Sequence, residues 1–330
     1  MFEETIRKKG FLDLPINSSV NIIEEIKRIK KEKNAIILAH FYQESAIQDI
    51  ADFVGDSLKL AQEAQKTNAD IIVMAGVHFM AETAKILCPD KKVLIPDIFA
   101  GCSLAESCKA DDFIAFKKLH PDAVVVSYVN TTAEIKALTD VVCTSTNAIA
   151  IVNSFPKNQK IIFGPDRNLG SYIASQLDRD IIIWDGACTV HEAFSLEKIL
   201  DIKNSNLDAK IISHPECTKP ILLVSDFVGS TSQLLTYAKN SKSSTFIVVT
   251  ESGILHQMKK DCPDKTFIPA PPNDSTCACN DCAFMKLITL EKLYNTLLYE
   301  LPEVSLDKDL IEKAKKSIIA MLDISEKNGL

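Results

Sequence analysis

The sequence has no apolar run approaching the roughly 18 residues that a membrane-spanning helix needs, which excludes an ordinary transmembrane helix. The opening stretch MFEETIRKKG is charged and lacks the apolar segment of a secretion signal, so the expectation is a cytoplasmic protein. A basic excess is also missing: 37 Lys and Arg stand against 44 Asp and Glu, a net charge of −7. With a pI near 5.5, that balance leaves no electrostatic footprint for nucleic acid or an anionic membrane surface. The Lys-rich stretch KRIKKEK has interleaved isoleucines and reads as the solvated face of an amphipathic helix. Low-complexity tracts and long Pro/Gly linkers are absent, so composition marks no domain boundary.

Pattern does what composition does not. Short apolar runs rich in β-branched residues alternate with helical spacing: AIILAH, ADIIVMAG, KKVLIPD, DAVVVSYV, QKIIFGP, RDIIIWDG, AKIISHP, STFIVVTE and KTFIPAP. Alternation of this kind predicts parallel sheets covered by helices. Nine strands in three groups of three predict an α/β protein of three similar three-layer units with small parallel sheets around a pseudo-threefold axis. The expected division is an N-terminal helical extension over 1–34, units over 35–109, 110–195 and 196–285, and C-terminal helices over 286–330 packing back on the units.

The three groups superpose in register. The first strand of each ends in a polar pair two residues apart: His40 and Tyr42, Tyr128 and Asn130, His214 and Glu216. Fifteen residues after the second member comes a hydroxyl residue opening a helical pattern: Ser57, Ser145 and Thr231. Identical spacing in three divergent segments predicts a threefold pseudo-repeat over about 35–100, 123–185 and 210–270. In open parallel sheets, ligands gather outside the carboxyl ends of the strands. Three such ends can therefore converge on one cavity. The hydroxyl residues are expected as N-caps whose helices offer free backbone N–H groups to anions.

Ten cysteines without an export signal read as thiols rather than disulfides. Cys88, Cys143 and Cys262 are expected as buried small hydrophobes. Cys102, Cys188 and the cluster CACNDC, residues 277–282, stand apart because each follows the last strand of a unit. One thiolate per unit makes a three-cysteine site. Structural zinc would want a fourth protein ligand, whereas a [4Fe–4S] cluster on three cysteines leaves one iron open. The cysteine pattern alone keeps both metals in play, and the threefold placement favours the cluster.

The motifs HFYQ, GDSLKLAQ, GVHFMAETAKIL, AGCSLAES, YVNTTAEIKA, CTSTNA, GPDRNLG, HPEC, GSTSQLL, TESGILHQM and CAFMKLITLEKL, in that order, resemble the quinolinate synthase family from about residue 35 to 300. The resemblance implies condensation of iminoaspartate with dihydroxyacetone phosphate to quinolinate, phosphate and water, on the route to NAD. It also implies three α/β domains around an oxygen-sensitive [4Fe–4S] cluster, with transient contact with an aspartate-oxidising enzyme left open. Its ligands, carried over, are Cys102, Cys188 and Cys282. Family members often show C-x-x-C-x-x-C at the last site, and this chain has C-x-C-x-x-C, which leaves Cys277 and Cys279 as spare thiols or a reversible pair.

Under that resemblance Glu216 with His214 suits a general base, and Tyr42 with His40 suits proton transfers in an aldose–ketose step. Tyr128 and Asn130 are expected to hydrogen-bond substrate. Ser57, Ser145, Thr146, Ser230 and Thr231 are expected to bind phosphate and carboxylates. His191 is placed to orient Cys188, while His78, Phe79 and Met80 are expected to pack and His120 and His256 to be structural or exposed. A non-catalytic iron–sulfur or zinc protein, such as a redox sensor, is the competing class, and another iron–sulfur hydro-lyase is the competing enzyme. A sensor has no need of polar pairs at three equivalent strand ends.

Overall fold

The computed structural model describes residues 2–274 and 281–330, so Cys277 and Cys279 lie outside the described residues. Three parallel sheets account for the apolar runs. The first holds β1 (Ala35–His40), β2 (Phe53–Gly55), β3 (Ile71–Ala75) and β4 (Lys92–Leu94). β5 (Val124–Tyr128), β6 (Val141–Cys143), β7 (Ile161–Gly164) and β8 (Ile182–Ile183) make the second. The third holds β9 (Lys210–Ser213), β10 (Phe227–Val228), β11 (Thr245–Val249) and β12 (Thr266–Pro269). Each is ordered second–first–third–fourth, and every neighbouring pair is parallel. The expected α/β units are therefore present, with twelve strands among the described residues rather than nine. The three extra strands are β2, β6 and β10. Two or three edge residues running straight into a helix carry no periodic signature.

Strands covered on both faces read as continuous apolar runs. β3 and β7 are buried at every position, and Ile72, Val73, Ile162 and Phe163 are fully enclosed. The first two sheets share one apolar core with the C-terminal helices; the second sheet also packs a separate cluster around Phe113, Val125 and Ile162, and the third carries two clusters of its own. The helix Lys308–Lys327 lies across the helix Ala133–Ala137. Ser317 Oγ donates to the Lys136 carbonyl at 2.8 Å and Asn147 Nδ2 donates to Ser325 Oγ at 2.9 Å. No described helix is long and apolar enough to cross a membrane.

The repeat is written in hydrogen bonds as well as in strand order. Asp52, Asp140 and Asp226 each stand five residues before the hydroxyl position of their unit. Their carboxylates accept from the backbone N–H groups of Ile37, Val125 and Ile211 at 2.8, 2.8 and 2.9 Å. Their own N–H groups return to the carbonyls of the same three residues at 3.0, 3.0 and 2.8 Å. Each clamp fixes the entry of the second strand against the first.

The helix caps correct one expectation. In the helices Ser57–Lys66 and Thr231–Asn240 the N-caps are the preceding residues, Asp56 and Ser230. Asp56 accepts from Lys59 N, and Ser230 forms a reciprocal capping box with Gln233. Ser57 and Thr231 are thus first helical residues, and Ser145 lies in the turn before the helix Ala148–Asn153, whose N-cap position is Asn147. The cap spends its oxygen on the N–H two positions further on, so those of Ser57 and Thr231 stay free of intrahelical partners.

Removing one clamp tests the repeat directly. Asp52→Ala, Asp140→Ala and Asp226→Ala are each expected to cost about 1–3 kcal/mol in chemical denaturation, because each orphans a strand N–H. A negligible loss at any one of the three would show that its clamp is dispensable.

Candidate active site

The carboxyl ends of the three sheets open onto one cavity of about 340 Å³. His40, Tyr42 and Ser57 reach it from the first unit, Tyr128, Asn130 and Ser145 from the second, and His214, Glu216 and Thr231 from the third. Cys102, Cys188 and Cys282 lie on the same wall. Thr146 and Ser230 do not. Thr146 Oγ1 instead donates to Asp56 Oδ2 at 2.9 Å and lies 2.8 Å from Ser230 Oγ, so the two hydroxyls and the Asp56 carboxylate join all three units. Phe79 and Met80 both pack and line the cavity. His78 does not line it and stands 3.8 Å from Glu82, and His256 pairs with Asp49 at 2.9 Å on the surface.

Two strand ends make the same turn. The Tyr42 N–H donates to His40 Nδ1 at 3.2 Å, and the Glu216 N–H donates to His214 Nδ1 at 3.4 Å. A ring accepting at Nδ1 and neutral overall carries its proton on Nε2. His214 Nε2 accordingly faces Ser145 Oγ at 3.2 Å. Burial holds both imidazoles well below the usual histidine range, His40 at about 4 and His214 at about 3. They enter the cavity as neutral donors.

Glu216 is 3% exposed and sits among three partners. Tyr128 Oη donates to Oε1 at 2.6 Å, His191 Nδ1 lies 3.2 Å from Oε2, and His214 Nδ1 lies 3.6 Å from Oε1. Burial would raise its carboxyl, but His191, His214 and the Tyr128 hydroxyl outweigh burial and hold it below the usual range. Tyr128 and Tyr42 are pushed the other way, first by burial, and stay protonated. One carboxylate therefore stays ionised in a buried site, with the Tyr128 hydroxyl as its hydrogen-bond donor and two imidazoles beside it.

The cysteines share a local device. Cys102 and Cys188 occupy the N-cap positions of the short helices Ser103–Glu106 and Thr189–Glu192. Cys282 precedes a 3-10 turn at Met285–Leu287. At neither N-cap does the sulfur take a capping hydrogen bond. Burial pushes all three thiols up from the usual range, Cys102 to about 12. Thiolates here need a cation to offset desolvation. Three half-buried soft donors, with no fourth cysteine on the wall among the described residues, fit a thiolate-bound iron–sulfur cluster that keeps one position open. Cys188 Sγ also lies within 4.8 Å of a His191 ring nitrogen and a Glu216 oxygen, a trio able to hold a single metal ion. Two members of that trio are already paired with each other.

Several groups on or behind the wall escape pattern reading. Asp56 precedes the repeat position and lines the cavity. Glu251 is fully buried and accepts from the N–H groups of Gly253 and Cys282 at 2.7 and 3.2 Å. Burial pushes it up to about 6 against the opposing pull of Lys286, 3.1 Å away. Asp166 caps the helix Arg167–Leu177 and has one oxygen without a partner; burial and Glu216 push its carboxyl up. Strand pairing offered the signal. Ala75, Gly164 and Val249 pair at equivalent positions, which places Val77, Asp166 and Glu251 two residues beyond them.

Comparison with known proteins agrees with this geometry. A family model described as quinolinate synthetase A protein matches residues 24–323. The chain is 55% identical over 306 residues to quinolinate synthase of Thermosynechococcus vestitus, covering 93% of this chain and 96% of that one. It is 56% identical over 300 residues to the Synechococcus sp. enzyme, covering 91% and 94%. Against the Chloroherpeton thalassium enzyme the identity is 53% over 313 residues, covering 94% and 97%. Three like α/β units that deliver their strand ends to one cysteine-bearing cavity, matched nearly end to end by these relatives, show that the chain belongs to the quinolinate synthase family, enzymes of NAD biosynthesis.

Proposed function

We propose that the chain condenses iminoaspartate with dihydroxyacetone phosphate, giving quinolinate, phosphate and water, with a [4Fe–4S] cluster held by Cys102, Cys188 and Cys282. One observation carries this reading: each unit gives one strand-end polar pair, and each of the three cysteines reaches the same cavity wall. When bound, a cluster with one iron free of protein ligands supplies Lewis acidity toward a substrate oxygen or nitrogen.

The chain's own residues divide the remaining work. Ser57 and Thr231 offer hydroxyls beside free backbone N–H groups at the starts of ten-residue helices, suited to phosphate or carboxylate oxygens. Ser145, turned toward His214, and Asn130 extend that polar rim. Glu216 takes a proton from the substrate as general base, its second oxygen steadied by Tyr128. His214 donates from Nε2, and Tyr42 with His40 serves the carbonyl end of the triose. Thr146 and Ser230, off the wall, keep the three units in register.

Glu216→Gln is expected to lower quinolinate formation from iminoaspartate and dihydroxyacetone phosphate roughly 10²–10⁴-fold while leaving the cluster absorption unchanged. Full activity in that variant would contradict the assignment of the base. Acid should also weaken the fold. Unfolded histidine titrates near pH 6.5, above the folded values of about 4 for His40 and about 3 for His214. Below pH 6.5 the unfolded chain binds more protons, so stability is present above that pH and lost as pH falls. Urea unfolding at pH 5 is expected to show a loss on the order of 1–2 kcal/mol per imidazole relative to pH 7.5. His40→Gln should remove its share, and a midpoint independent of pH would contradict the burial of neutral rings.

A further inference from the structure

Both substrates of the proposed reaction are anions, one carrying two carboxylates and the other a phosphate. Among the described residues no lysine or arginine lines the cavity, while Asp56, Glu216, Glu251, Asp274 and Asp281 do. The helix starts at Ser57 and Thr231 supply only partial positive charge. A full cation stands one ring behind the wall. Lys136, in the helix Ala133–Ala137, is 0% exposed, and its ammonium lies 5.4 Å from the ring centroid of Phe79, which lines the cavity. Its Nζ donates to the carbonyl of Thr131, the residue after Asn130 on the same wall. Among the described residues it forms no ion pair. Glu82, the carboxylate that bears on it, is turned instead to the Ala133 N–H at 3.0 Å and to His78 at 3.8 Å. Burial pulls the ammonium down to about 8, with Glu82 and Cys102 opposing, so it stays charged at neutral pH. Lys286 differs: its charge is met directly by Glu251 at 3.1 Å.

We infer that Lys136 is a positioning residue that attracts the anionic substrates from behind Phe79, supplying the positive charge that the cavity wall lacks. The inference rests on the proposed reaction, whose substrates bring the negative charge. Burying an ammonium without a carboxylate partner costs free energy, so the fold alone gives no reason for a lysine here. An anion in the cavity offsets that cost. At an effective dielectric of about 20, opposite unit charges separated by one ring attract enough to change affinity roughly tenfold. Phe79 passes the field on without a contact, and its ring face is itself drawn to the ammonium. The placement has a chemical advantage as well. An amine on the wall could add to the triose carbonyl as a Schiff-base nucleophile. Behind the ring, Lys136 contributes charge and no nucleophile.

Lys136→Met removes the charge and keeps a flexible side chain; Lys136→Gln removes the charge and keeps a donor for the Thr131 carbonyl. Both variants are expected to bind dihydroxyacetone phosphate roughly 10-fold more weakly than the parent protein in calorimetry. Its KM in quinolinate formation should rise to match, with kcat little changed, the pattern of lost uniform binding. Iron content should equal that of the parent. Parent affinity in either variant overturns the inference: with glutamine the hydrogen bond to Thr131 would be what matters, and with methionine neither bond nor charge would. A loss of iron that accounts for the weaker binding also overturns it, since that is what a purely structural lysine produces. Should the methionine variant not fold, the glutamine variant carries the comparison; if neither folds, the lysine is structural and the inference fails. Parent protein that forms no quinolinate overturns the proposed reaction, and the inference with it. Active parent protein beside a variant of undiminished affinity overturns the inference alone.

Discussion

Parallel strands paired in register all finish on the same side of their sheet, and in this chain three such sides face one another. The residues just past each strand can no longer join the ladder, so they are free to be histidine, tyrosine or carboxylate. What holds the three ends at working distance is a small polar junction. Thr146 of the second unit bridges Asp56 of the first and Ser230 of the third. Asp56 and Ser230 also cap helices that begin at the cavity. Displacing one unit would therefore break a cap along with a contact, and each cap is worth about 1 kcal/mol. The helix starts and the junction share the same atoms.

That geometry explains the electrostatics. At the strand ends two neutral imidazoles, two protonated tyrosines and hydroxyls at helix starts surround the Glu216 carboxylate. Burial pushes every group toward its neutral form, and Glu216 stays ionised with the Tyr128 hydroxyl donating to it and the His191 and His214 rings beside it. The three thiols obey the same rule from the other side. Burial pushes each of them toward the neutral thiol.

Much of this was legible in the sequence because a repeat repeats its spacing. The polar pairs, the hydroxyl positions and the cysteines at 102, 188 and 282 all reach one wall. Features that depend on contacts between units were not legible. Thr146 and Ser230 look like substrate ligands in a one-dimensional pattern, yet their hydroxyls are committed across the junction. His191 looks like a neighbour of Cys188, yet its ring reaches Glu216 and Thr250. Thr250 and Glu251 close an apolar strand, with nothing local to separate them from ordinary turn residues. The short strands β2, β6 and β10 were missed for a different reason. They are fixed by the aspartate clamps, which show only once the three units are laid on one another.

The central claim is that three units each place one thiol on a single site with an open coordination position. It is tested most directly by counting iron and acid-labile sulfide in protein purified without oxygen, alongside Cys102→Ser, Cys188→Ser and Cys282→Ser. The account predicts about four of each per chain in the parent protein, and loss of the cluster in each single variant. Stoichiometric zinc without sulfide, or a cluster that survives any one of the three substitutions, would contradict it.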